Sequence, residues 1–166
     1  MKLSERIQVF DRWTDDYISA SISLRPTEKP VIGYEQGKVL TFKMMASFSL
    51  ELMLKTYCLI LLLRDKGDIN FNDDNHFIGF MRQNQLLTHK LTELLKKIRK
   101  NDSDFDVDYI TETIDFFDRF LESRYPYSNG NYHDDIFQFN ESNYKKYNYL
   151  RQLLREKIKS NIRLFW

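Results

Sequence analysis

Apolar residues recur along most of this chain at the three- and four-residue steps of an α-helix. Leu3, Ile7, Phe10, Tyr17 or Ile18, and Ile22 predict a first helix from about Ser4 to Leu24, with Ser4 as its N-cap. The stretch from Arg25 to Pro30 holds two prolines and no apolar period, which marks a linker. A second helix begins between Tyr34 and Lys38 and ends near Arg64, where Gly67 is placed to close it. It is apolar on most of its circumference, so it is either the central helix of a bundle or covered by a second subunit. Residues Asn70 to Gln85 are rich in Asn and Asp and read as a long connection with one short turn at His76–Met81. A third helix starts at Thr88, striped by Leu91, Leu94, Leu95 and Ile98 and closed by Lys96, Lys97, Arg99 and Lys100. A fourth runs from about Val107 to Glu122, and a fifth from about Glu141 to Ile162 with Tyr144, Tyr147, Leu150, Leu154, Ile158 and Ile162 on its stripe. Pro126 and Gly130 keep the segment Ser123 to Asn140 out of a helix. No strand pattern or repeat is present, and the expected fold is a single all-α domain, an up-and-down bundle of about five helices.

Composition narrows this reading. The chain has 166 residues, 42% of them hydrophobic, which suffices for one buried core. With 25 Lys+Arg against 24 Asp+Glu there is no global pull toward nucleic acid or membrane, and any such binding requires a local patch. Val39 to Leu63 is long and apolar enough to span a bilayer but carries Lys43, Glu51 and Lys55. Each such charge costs about 2.5–3.5 kcal/mol at a bilayer centre, so burial in a soluble bundle is the expectation. The first residues show no signal-peptide pattern. Cys58 is the one cysteine and lies in the apolar run Tyr57 to Leu63, so it reads as a core residue of a reduced, cytoplasmic protein.

Metal and nucleotide chemistry find little support. The three histidines, His76, His89 and His133, are not spaced for a zinc site, and no cofactor is expected. The alternating carboxylates from Asp102 to Asp108 lack the Gly and Glu of a calcium loop and read as helix caps. No Gly-rich phosphate loop or nucleophile elbow occurs.

Three local patterns remain. Glu51 and Lys55 stand one helical turn apart in an apolar helix, where such a pair would be partly buried and would set packing register. His89 follows Thr88 at the start of the third helix, where the positive helix end favours neutral imidazole, a general base or a structural hydrogen-bonding residue. Pro126 forces Tyr125 into an extended conformation at the end of the fourth helix and aims Arg124 and Tyr125 off it.

In this order and at these separations the three patterns resemble the HEPN superfamily of prokaryotic helical bundles. The family's central helix carries Glu and Lys one turn apart, a His-x-Leu opens a later helix as in His89 to Leu91, and an Arg-Tyr-Pro follows the next helix as in Arg124 to Pro126. The resemblance covers about Gly37 to the C-terminus. It implies a homodimer, which excess apolar surface on the second helix and at Leu164 to Trp166 also favours. It implies, further, either a metal-independent RNase of the toxin–antitoxin and phage-defence kind, or a nucleotide- or RNA-associated module without catalysis, or a partner subunit of a nucleotidyltransferase or antitoxin. The nuclease members place an Arg and a His a few residues apart near the start of the last helix. Here that helix holds Arg151 and Arg155 but no His, eight residues separate Arg124 from His133, and six separate Arg82 from His89, ahead of the third helix. The non-catalytic module is therefore the preferred expectation. Were RNA cut, His89 would be the acid or base, and Arg82 or Arg124 would meet the developing charge. Arg124, Tyr125, Lys145, Lys146 and Arg151 are the candidate contacts to RNA or nucleotide, the last three within a basic segment interleaved with Tyr144, Tyr147 and Tyr149. That segment also reads as the solvated face of an amphipathic helix.

Overall fold

The longest apolar period produces the element on which the rest is assembled. The computed structural model describes residues 1–26, 34–105, 111, 113–115, 117–118 and 141–162. In it, α1 spans Leu3–Ser23, α2 Tyr34–Lys66, α3 Asp74–Gln83, α4 Leu91–Asn101 and α5 Glu141–Ile162. Thr111, Thr113–Asp115, Phe117 and Asp118 are also helical, inside the span predicted for the fourth helix, with Ile114 and Phe117 buried. Among the described residues there is no strand, only an isolated bridge between Lys2 and Asn70, and the fold is an all-α bundle.

At 1.5 Å per residue α2 is about 50 Å long. Helices α1, α4 and α5 all pack on it. Its apolar circumference is thus covered within one chain, so the choice left open by the sequence resolves to a central helix, and the excess apolar surface on this helix that favoured a homodimer is not there. It is long and apolar enough to cross a membrane, but 83% of its most apolar stretch is buried inside the bundle. Two of its buried hydroxyls bond to the helix's own backbone, Ser49 Oγ donating to Ala46 O at 2.8 Å and Thr56 Oγ1 to Leu52 O at 2.7 Å, whereas Ser47 Oγ is buried without a hydrogen bond among the described residues. The stripes of the other helices turn inward as their spacing requires, Leu91, Leu94, Leu95 and Ile98 on α4 and Tyr147, Leu150, Leu154 and Ile158 on α5. Where α1, α2 and α5 meet, the Tyr147 hydroxyl lies 3.0 Å from Ser21 Oγ and 2.9 Å from Ser49 Oγ.

Three local expectations are corrected. Ser4 does not cap α1. The helix starts one residue earlier, with Lys2 as N-cap, and buried Ser4 donates from both its backbone N and its Oγ to the Asp68 carboxylate at 2.9 Å. The Asn- and Asp-rich stretch is not a connection with a single turn, because it contains α3. Asp73 accepts from His76 N at 2.7 Å as a true N-cap, and Phe77, Phe80 and Met81 form one buried face against Phe71. The density of Asn and Asp was a capping signal rather than a loop signal. Finally, the third predicted helix starts not at Thr88 but at Leu91, the start of α4. Gly67 closes α2 as expected, with φ +78° and its N–H on Leu63 O.

Candidate polar centre at Glu51, Lys55 and His89

Glu51 and Lys55 project from the same face of α2 because they are one turn apart. The Lys55 Nζ donates to Glu51 Oε1 at 2.7 Å, and their side chains are only 9% and 7% exposed. The sequence expectation of a partly buried pair is met. A third group joins them. His89 Nδ1 lies 2.9 Å from the same Glu51 oxygen, while its own side chain stays 65% exposed. An ionised carboxylate can only accept, so Nδ1 is the donor in this contact. Buried Glu51 therefore fixes the orientation of an accessible imidazole.

The backbone that presents His89 differs from the expectation. His89 precedes α4 instead of sitting in its first turn, so the helix-end argument for a neutral ring does not apply, and the group it meets is a carboxylate. Thr88 Oγ1 accepts from Lys90 N at 3.1 Å, a tight local turn, rather than capping the helix. The α4 N-terminus is capped from a distance by Asp118, whose carboxylate accepts from Leu91 N and, at 2.9 Å, from Thr92 N. Asp118 thereby satisfies two backbone donors at the start of α4. On the other side of the linker, Gln85 adopts φ +54° to end α3, with Leu86 N on Met81 O at 2.8 Å.

Arg82 is exposed in the last turn of α3, and among the described residues no hydrogen bond or ion pair joins it to His89 or Glu51. Arg124 and Tyr125, like His133 and Leu164 to Trp166, lie outside the described residues. On α5, Lys145 is exposed, Lys146 is half-buried, and Arg151 is half-buried with its Nε enclosed and unbonded. Tyr147 belongs to the core, and burial pushes its hydroxyl above the ordinary tyrosine range. The basic face is partly committed to other helices. Arg155 bonds Asp11 at 2.7 Å and also Asp15, and Lys157 bonds Asp102 at 3.2 Å. Burial raises the Asp11 carboxyl above its ordinary value even though Arg155 beside it pulls the other way. Burial also presses the Asp102 carboxyl upward, but hydrogen bonds from Tyr57 and Lys157 outweigh it and hold the group below the usual carboxylate range.

Cys58 is buried, with its thiol pushed up to about 12 by desolvation, which makes it a core residue and not a nucleophile. Among the described residues no group of three or more His, Cys, Asp or Glu side chains is close enough together to hold a metal ion. Two features escaped the sequence reading. Asp118 capping is a long-range contact with no local signal. The other is a cleft of about 500 Å³ lined by Trp13, Asp16, Tyr17, Phe48, Glu51 and Leu52. Trp13 falls off the apolar stripe of α1, and a large aromatic off the stripe was the available clue.

Compared with known proteins, the chain matches no family model, and neither a curated protein nor a solved structure is significantly similar to it.

Proposed function

We propose that this chain is a HEPN-like module, cytoplasmic and homodimeric, that associates with RNA or nucleotides without cutting them, in a toxin–antitoxin or phage-defence setting. The observation that carries this reading is the meeting of Glu51, Lys55 and His89. Two of the three motif elements behind the resemblance, separated by more than a helix in sequence, share one carboxylate oxygen. Lys145, Lys146 and Arg151 remain the candidate phosphate contacts on α5, with Arg124 and Tyr125 beside them in the resemblance.

One observation favours the runner-up, a metal-independent RNase. His89 has its Nδ1 held by a buried carboxylate while its side chain stays 65% exposed, an arrangement in which an imidazole can serve as a general base. In that reaction Nε2 takes the proton of an RNA 2′-hydroxyl, whose oxygen attacks the adjacent phosphorus. The 5′-oxygen leaves with a proton, and a cyclic phosphate remains. A third reading, a structural partner of a nucleotidyltransferase, needs neither event.

The test is binding and metal-free cleavage of a labelled single-stranded RNA by the full chain, by His89→Ala, and by Lys145→Ala/Arg151→Ala. Binding without cleavage, weakened at least about threefold by the double change and more at low salt, supports the module. Cleavage that His89→Ala abolishes replaces it with the RNase. Absence of both RNA and nucleotide binding refutes both and leaves the partner subunit. Light scattering reads the dimer from the same preparation.

A further inference from the structure

The cleft between α1 and α2 carries chemistry that the polar centre does not use. Its volume of about 500 Å³ is in the range of small-molecule sites. Three aromatic rings line it. Tyr17 from α1 and Phe48 from α2 stand 5.5 Å apart at 42°, which makes a fixed aromatic corner across the two helices. Trp13, one turn before Tyr17, is 51% exposed. Asp16 lines the same cleft, is exposed, and has no ion pair or hydrogen bond among the described residues. Glu51, buried and paired with Lys55, also lines it. Among the described residues no Lys or Arg lines the cleft, and Lys55, which reaches the lining residue Glu51, is paired with that carboxylate at 2.7 Å. Negative ring faces together with a free carboxylate repel phosphate and carboxylate groups and attract an organic cation.

We infer that this cleft binds a small alkylammonium compound, with its cationic head over the Trp13 ring and countered by Asp16, and its alkyl body against Tyr17, Phe48 and Leu52. Ring and carboxylate together select for charge: a neutral molecule of equal shape would gain the apolar contact and lose both electrostatic ones. The inference shares Glu51 with the polar centre but does not rest on the HEPN-like reading, since its cation contacts are Trp13 and Asp16.

The test is isothermal titration calorimetry of the full chain with choline, with its neutral tert-butyl isostere, and with adenosine monophosphate. Choline is expected to bind with a Kd of about 1 mM or tighter, and the isostere at least about fivefold more weakly. Trp13→Ala should weaken choline binding about tenfold, and Asp16→Asn about threefold. Both side chains are exposed, so the core stays intact in either variant, as circular dichroism verifies. Equal binding of the isostere, no binding of choline, or choline binding unchanged by Trp13→Ala overturns the inference. So does adenosine monophosphate binding more tightly than choline with the same dependence on Trp13, which would make the cleft a base-stacking site. A fall in mass from dimer to monomer on Trp13→Ala overturns it too, by giving the cleft to a second copy of the chain.

Discussion

Replacing Lys55 by Met keeps most of the side chain's volume and removes only its charge. What that costs depends on whether the Glu51–Lys55 pair is hydrated. Exposed pairs one turn apart contribute about 0.3–0.5 kcal/mol. This pair is less than a tenth exposed on either side and bonded at 2.7 Å. Removing one partner of a buried pair leaves an uncompensated charge and costs about 3–5 kcal/mol. His89 still bonds Glu51 at 2.9 Å from a largely solvated position, which places the expected loss near the lower bound, about 3 kcal/mol. For a chain of this size that is a fall in Tm of about 6–12 °C. Glu51→Gln/Lys55→Met removes both charges and keeps a hydrogen-bonding group for His89, so it should cost only about 1 kcal/mol, less than the single change. Urea unfolding followed by circular dichroism reads both as shifts in midpoint at constant slope. A loss below about 1 kcal/mol for Lys55→Met would refute the burial argument, because that is the level of a hydrated pair. A double variant weaker than the single one would refute the claim that the cost of losing Lys55 acts through Glu51.

Tyr147→Phe should destabilise by about 1–3 kcal/mol, since the buried Ser21 and Ser49 hydroxyls lose a shared partner; a midpoint unchanged in urea would contradict this. Asp118→Ala strips the cap from α4 and should cost about 1–2 kcal/mol, with hydrogen exchange rising at Leu91 and Thr92 ahead of the rest of the helix; uniform exchange would argue against it. Gln85→Gly relieves a left-handed backbone and should stabilise by about 0.5–1 kcal/mol, less a weak exposed bond from Lys97, and a loss of stability would count against strain at that position. The Cys58 thiol is raised from 9.0 in the unfolded reference to about 12 in the fold, so its contribution is complete below pH 9 and is lost as pH rises toward 12. Stability should fall over that window and fall less steeply in Cys58→Ala; identical slopes would exclude the thiol as a cause.

What the sequence by itself determined is whatever depends on neighbours along one helix. The apolar periods placed α2 and α5, the second with its observed ends, because amphipathic spacing is a local property that tertiary packing here reinforces. The Glu51–Lys55 pair was legible for the same reason, since two residues one turn apart meet on any helix. The tertiary structure decided what depends on groups far apart in the chain. Asp68 recruited Ser4 into the body of α1, and Asp118 moved the start of α4 past Thr88, because a buried helix end takes whichever acceptor the fold delivers. His89 became the third member of the polar centre only through a contact across thirty-eight residues. Arg155 and Lys157 on α5 bond carboxylates on other segments, Asp11 and Asp102, which no pattern along α5 encodes. The cleft at Trp13 arises between two helices, and no period along either one encodes the space between them.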